Sequence, residues 1–235
     1  MRSFRTRARW DAARWLLATF ALATFLVSGC GDDDDGDKNP TGPGGSNIVT
    51  LGLVQSVSDE MAVAFVLVLR DGQTVNDATV RINGANLATN QQGGYSGNIA
   101  AEPGDELTLT ATSGTSTVTL RATVPAQVDL IAPADAAEFE DDDNIGVLWS
   151  ATEDAERYFV FYYPDVDDET PLWEETTNTV LTIPSSETPS GSDGLIELYA
   201  ANGEGAMLLT LDEDGPGTTS GFYAVTYEAT NITVD

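Results

Sequence analysis

The chain has no histidine and a single cysteine among its 235 residues. The missing imidazole removes the commonest general base and the commonest transition-metal ligand, and it makes a Ser-His-Asp triad impossible. A lone thiol permits no internal disulfide, so any fold must hold on its cores alone. Lysine is nearly absent as well. Lys38 is the only one, and it sits in a Gly/Pro/Asp-rich stretch that offers no framework for a Ser-Lys dyad. No segment shows a convincing helical stripe. The longest uncharged apolar run near the N-terminus, residues 15–27, has 13 residues, whereas a helix needs about 20 to cross the hydrocarbon core of a bilayer.

Positive charge is scarce and unevenly placed. The chain holds 10 basic and 38 acidic residues; residues 1–29 take 5 of the basic and 1 of the acidic, which leaves 5 and 37 beyond them. A body so acidic repels phosphate backbones, which excludes nucleic acid as a partner. It also repels anionic headgroups, so it is expected to stand off a membrane surface. Dense Asp and Glu have three readings: simple solvation, adaptation to a salty medium in which self-repulsion is screened, or binding of a divalent cation.

The first 29 residues follow the order of an export signal: Arg2, Arg5, Arg7, Arg9 and Arg14, then the apolar run, then Ser28-Gly29 before Cys30. Val27-Ser28-Gly29-Cys30 resembles the lipobox of bacterial lipoproteins. That resemblance implies cleavage before Cys30 and diacylglycerol on its thiol; the localisation expected is an exported protein held by lipid to a bacterial membrane, at the outer membrane or cell surface. Ordinary secretion, with cleavage after Ala21-Leu22-Ala23, is the alternative and would leave an apolar stub at residues 24–27. Two or more acyl chains anchor a protein stably without further help. Residues 31–47 (GDDDDGDKNPTGPGGSN) bury too little to fold and read as a tether. The acidic run after Cys30 also resembles the surface-export signals of some Gram-negative lipoproteins.

From Ile48 onward the hydrophobic period is two, so an all-β chain is expected, in two small sandwiches over 48–127 and 128–235. Leu107, Leu109 and Ala111 alternate with threonines, as do Val118, Leu120 and Ala122, around Ser113-Gly114-Thr115-Ser116; this predicts a hairpin with one buried face. Residues 61–69 are continuously apolar and predict a central strand buried on both faces. The last strand is expected over 222–234.

Two family resemblances follow from particular residues. Asp71-Gly72, Val75, Asp77-Ala78-Thr79-Val80, Asn83-Gly84 and Thr89 through Gly94-Tyr95 resemble the carboxypeptidase regulatory-like, or transthyretin-like, β-sandwich. That family's domain is an accessory without catalytic residues. Ile131-Ala132-Pro133, the strand Ile145-Gly146-Val147-Leu148-Trp149 with its core Trp, Ala155 through Val160, and residues 195–203 (LIELYAANG) resemble a fibronectin type III domain. Leu195 departs from that pattern near the place of a tyrosine corner.

The sequence points to no catalytic site and no cofactor, because paired carboxylates are the only catalytic chemistry left and nothing singles out a pair. Three acidic clusters have the composition of calcium loops: Asp141, Asp142 and Asp143; Asp165 and Asp167; Asp212 and Asp214. None has the spacing of an EF-hand, and each reads first as a solvated turn. Tyr162, Tyr163 and Trp173 are candidates for a sugar-stacking face, and Trp173 in particular looks displaced to an edge, whereas Trp149 and Tyr158 read as core. The expectation is a lipid-anchored, non-enzymatic binding or spacer module whose partner is an extracellular protein, a glycan or Ca2+.

Overall fold

The computed structural model describes residues 48–58, 60–90, 94–140, 142–164, 171–188, 190–206 and 219–235. Residues 1–47, which include Cys30 and the stretches expected to be an export signal and a tether, lie outside them. Among the described residues the chain is all-β, with one 3-10 turn at Ser185–Glu187.

Nine strands come from the first half: β1 (Ile48–Ser58), β2 (Met61–Arg70), β3 (Gln73–Thr74), β4 (Thr79–Ile82), β5 (Ala85–Asn86), β6 (Ala88–Thr89), β7 (Tyr95–Ala100), β8 (Glu106–Ser113) and β9 (Ser116–Thr123). Local chemistry sets their turns. Asp71-Gly72 and Asn83-Gly84 each place both central residues at positive φ (53° and 74°; 48° and 83°), the type I′ geometry that matches strand twist. Gly114 opens the two-residue loop between β8 and β9 at φ 60°. The predicted alternation holds: Leu107, Leu109 and Ala111 are fully buried. Val118 and Leu120 are only half-buried because β9 is an edge strand, in the order β5-β4-β8-β9. Tyr95 points inward, as expected; its hydroxyl donates to the Val75 carbonyl (2.8 Å) and accepts from the Ala78 N–H (2.8 Å). Strand β2 is central, between β1 and β7. It is buried on both faces over its second half only: Met61 is exposed, and Val63 and Phe65 are half-buried.

The second half supplies β10 (Leu130–Ala132), β11 (Ala137–Phe139), β12 (Ile145–Trp149), β13 (Arg157–Tyr163), β14 (Leu172–Thr176), β15 (Val180–Ile183), β16 (Ser192–Gly205) and β17 (Gly221–Val234). Three strands, β10-β12-β15, face β14-β13-β16-β17, while β11 lies parallel to the end of β17. This is the strand order of a fibronectin III-like sandwich. Its core gathers Ile145, Val147 and Trp149 from one sheet with Tyr158, Val160, Ile196, Leu198, Ile232 and Val234 from the other. Trp149 is 1% exposed and meets Tyr158 edge-on at 5.4 Å, in line with the core role read from sequence.

One sheet runs through both halves in the order β14-β13-β16-β17-β1-β2-β7-β6. Strand β17 makes this possible. Along one edge it pairs with β16 over its whole length. Along the other edge its beginning pairs in parallel with β1 (Leu51↔Gly221 to Gln55↔Val225), and its end pairs with β11 (Ala137↔Ile232 to Phe139↔Val234). Fourteen residues at about 3.3 Å each give a strand about 46 Å long. Phe222 and Ala224 enter the first core, and Ile232 and Val234 enter the second. Gly52 of β1 is where the two halves interlock: a Cβ there would lie 2.7 Å from both Leu109 Cδ2 and Phe222 Cδ2.

The junction is also tied by polar groups. The Arg121 and Thr123 N–H groups on edge strand β9 donate to Glu204 Oε1 and Asn202 Oδ1 of β16, each at 2.9 Å. Asn202 Nδ2 donates to the Asp154 carbonyl (2.9 Å), and Thr226 Oγ1 to the Ala126 carbonyl (2.8 Å). The exposed backbone of an edge strand is therefore satisfied by side chains from the other half. Because β1 runs parallel to β17, its first residue, Ile48, lies at the pole farthest from the end of β17.

Candidate functional site

Alternation along the long sheet sends one set of side chains into the two cores and the other set to the opposite face. On that outer face Phe159 and Phe161 of β13, Tyr199 and Ala201 of β16, Tyr223 and Val225 of β17, and Leu53 of β1 form a third apolar cluster, with Tyr163 and Tyr227 packed against it. Strand β13 is apolar on both faces, since Tyr158, Val160 and Tyr162 belong to the inner core. Aromatic contacts cross four strands. Trp173 stacks on Phe161 (6.3 Å, 29°), Phe161 meets Tyr199 edge-on (5.6 Å, 86°), and Tyr199 stacks on Tyr227 (5.4 Å, 23°).

Glu197 lies within this band, paired in register with Phe161 and Ala229. It is 5% exposed. Tyr199 donates its hydroxyl hydrogen to Glu197 Oε2 (3.0 Å), and Tyr163 is hydrogen-bonded to the same carboxylate. Burial raises the Glu197 pKa, and the two phenols partly offset that rise. Burial likewise raises the pKa of Tyr163 and Tyr199, with the Glu197 charge adding to the effect.

The exposed margin of the face is at β14, the terminal strand of the sheet. Trp173 is 50% exposed there. Glu175, two residues on and so on the same face, pairs with Arg157 (Oε1 to Nη1, 2.9 Å). The Arg157 guanidinium lies over the Tyr223 ring, 5.5 Å from its centroid. Two surface depressions, about 340 and 280 Å3, lie elsewhere. Ala136, Asp193 and Asn231 line the first; Glu106, Arg121, Glu156 and Glu204 at the junction line the second.

The other sequence candidates fall as follows. Trp173 occupies an edge strand, as its sequence context implied. Tyr163 joins the outer face, whereas Tyr162 is 2% exposed and belongs to the inner core, so it is no part of an exposed stacking face. Asp142 and Asp143 occupy the turn between β11 and β12, where Asp143 Oδ2 accepts the Glu140 N–H (3.2 Å) and the Asp143 N–H donates to the Glu140 carbonyl (3.0 Å). That is a self-satisfied turn. Asp141, Asp165, Asp167, Asp212 and Asp214 lie outside the described residues. Among the described residues no three His, Cys, Asp or Glu side chains are grouped to hold a metal ion.

Sequence reasoning missed Glu197, Tyr199 and the Arg157–Glu175 pair. One signal was available: Glu197 is the only charge in the run Leu195-Ile196-Glu197-Leu198-Tyr199-Ala200-Ala201.

No protein-family model matches the chain, and no curated protein sequence does. Solved structures do. The fibronectin(III)-like modules of Clostridium thermocellum CbhA align over 80% of this chain and 90% of theirs, at 11% identity and a TM-score of 0.29. A chain from a cytokine receptor complex aligns over 77% and 95%, at 12% identity and a TM-score of 0.28. Overlays of that size say nothing of ligand or partner. The fibronectin III-like arrangement rests on the strand order itself.

Proposed function

We propose that this protein is a non-enzymatic, lipid-anchored cell-envelope module. Lipid on Cys30 holds it to a membrane, residues 31–47 form an acidic tether, and the two joined sandwiches hold a binding face clear of the lipid surface. The observation that carries this reading is the passage of β17 through both sandwiches, with Phe222 and Ala224 in one core and Ile232 and Val234 in the other. Such a joint resists bending, which suits a spacer. The polarity agrees with it: the tether enters β1 at the pole farthest from the end of β17. A chain of net charge −28 is also repelled by anionic headgroups. No helix among the described residues is long and apolar enough to cross a membrane, and in this reading the anchor is acyl chains. The first sandwich is read as carboxypeptidase regulatory-like, supported by its two Asx-Gly turns and inward Tyr95, and it serves as the membrane-proximal stem.

Metabolic labelling with a fatty acid tests the anchor. The wild type should incorporate label and Cys30→Ser should not, remaining as uncleaved precursor. Labelling of the variant, or release of unlabelled wild type beginning near residue 24, would sink the reading. Small-angle scattering tests the stem. A rod-like profile independent of salt is expected, and a spread of interdomain distances would contradict a rigid joint.

A further inference from the structure

We infer that the β14 margin of the outer face, built from Trp173, Arg157 and Glu175, is a binding platform for a neutral glycan chain. The inference deepens the reading of the protein as a binding module by naming the ligand class. It begins with the indole. Trp173 is 50% exposed although its strand belongs to the largest sheet, and its plane is held by stacking on Phe161. A ring fixed in this way loses little freedom when a ligand settles on it. Its π face is the negative end of the ring quadrupole and matches the polarised C–H groups on the flat side of a pyranose.

The polar partners of the ring are fixed as well. Glu175 shares the face with Trp173 and is pinned by Arg157, which is itself held over Tyr223. Their side chains remain 45% and 32% exposed. A guanidinium carries five N–H donors and a carboxylate about four acceptor sites, so one ion pair leaves both with capacity to spare. Vicinal sugar hydroxyls donate and accept at once and match such a mixed pair.

Charge and surroundings decide between ligand classes. An acidic polymer is opposed by the net charge of −28. A cationic segment gains nothing specific at this margin, where Arg157 already neutralises Glu175. An apolar protein partner would bury the half-exposed Arg157–Glu175 ion pair on the same face and strip its hydration. A neutral, hydroxyl-rich chain meets none of these penalties. The platform is an open sheet margin, which suits an extended polysaccharide better than a single enclosed sugar.

The test uses the full chain in a non-glycosidic detergent, run by affinity electrophoresis through gels containing dextran, mannan, xylan or hydroxyethylcellulose, with polygalacturonate and polylysine as charged controls. Titration calorimetry follows on any polymer that retards it. At least one neutral polysaccharide should retard the wild type. Trp173→Ala should weaken that binding tenfold or more, Trp173→Phe should retain part of it, and Glu175→Gln with Arg157→Lys should weaken it several-fold at unchanged near-ultraviolet circular dichroism. Retardation by none of the neutral polymers overturns the inference, as does binding only to a charged control or Trp173→Ala binding as tightly as wild type. None of these variants should alter fatty-acid labelling of Cys30. Loss of glycan binding and failure of the anchor therefore read out separately.

Discussion

Truncating Phe222 to alanine should destabilise the first sandwich, although the residue lies on the last strand of the second. Phe222 is fully buried. Its ring closes over Gly52 beside Leu109, within a core drawn, apart from Phe222 and Ala224, from residues 48–124. A phenylalanine buries roughly 150 Å2 or more. At roughly 25 cal/mol per Å2 that is about 4 kcal/mol of transfer free energy, most of it in the ring, and the cavity left behind adds to the loss. Phe→Ala changes in cores accordingly run about 3–5 kcal/mol, on the order of 10 °C in a chain of this size. Guanidinium unfolding would give the magnitude, and amide hydrogen exchange would give its location. Protection should fall in β1, β2 and β8 as well as at the start of β17. Ile232→Ala provides the contrast, since it should cost about 2–5 kcal/mol and loosen β12 and β15 first. A loss below about 1 kcal/mol for Phe222→Ala, or exchange confined to residues 128–235, would refute the idea that β17 is structural in both cores.

Gly52→Ala should cost about 1–3 kcal/mol by overpacking, because its Cβ would lie 2.7 Å from Leu109 and Phe222; thermal melts of the variant measure this, and a neutral result would mean the two halves separate easily at that point. Trp149→Ala should cost about 3–5 kcal/mol, and Trp149→Phe clearly less, since Nε1 has no hydrogen-bond partner to lose; equal losses in denaturant titrations would contradict this. Burial raises the folded-state pKa of Glu197, so its contribution is present at low pH and is lost as pH rises through that raised value. Glu197→Gln should therefore match wild type in acid and exceed it in stability at pH 8; identical pH profiles for the two proteins would count against a buried titrating acid. Sodium chloride should raise the melting temperature smoothly as the screening length falls from about 8 Å at 0.15 M to about 3 Å at 1 M, with calcium adding nothing saturable; a calcium response that persists in 1 M salt would restore the cation reading.

The parts of the fold legible in sequence are those that local chemistry decides. The Leu107–Ala111 alternation, the Asx-Gly turns, inward Tyr95 and the alternation of buried and exposed residues along Ile145–Trp149 each follow from a few neighbouring residues. The joint was not legible. Parallel pairing of β1 with β17 brings together residues about 170 positions apart, and nothing within either segment encodes its partner. The boundary expected between residues 127 and 128 falls between β9 and β10, while the sheet runs on across that gap through β17. The outer face hid for a related reason. Continuous apolar runs such as residues 158–163 show that both faces of a strand are apolar, but they do not tell which face meets a core. Glu175 and Arg157 read as scattered surface charge until antiparallel register set β14 beside β13.

The arginines of the described part bring charge and site together. Arg70 and Arg81 hydrogen-bond the neutral side chains of Ser113 and Asn86. Arg121 pairs with Glu106, but side-chain exposures of 68% and 62% leave that bridge worth about 0–1 kcal/mol. Ion pairs therefore contribute little against 37 acids beyond residue 29. The cores hold the fold together, and the charge mostly strains it. Arg157 differs from the other three. It is fixed by Glu175 and by the Tyr223 ring, and Glu175 shares the outer face with the exposed indole of Trp173. Placed there, it cancels one carboxylate at the margin where a strongly negative surface would otherwise surround Trp173. A locally neutral patch on an acidic body lets an uncharged ligand settle without displacing a dense counterion layer. Salt should then shift the stability of the protein much more than its affinity at Trp173.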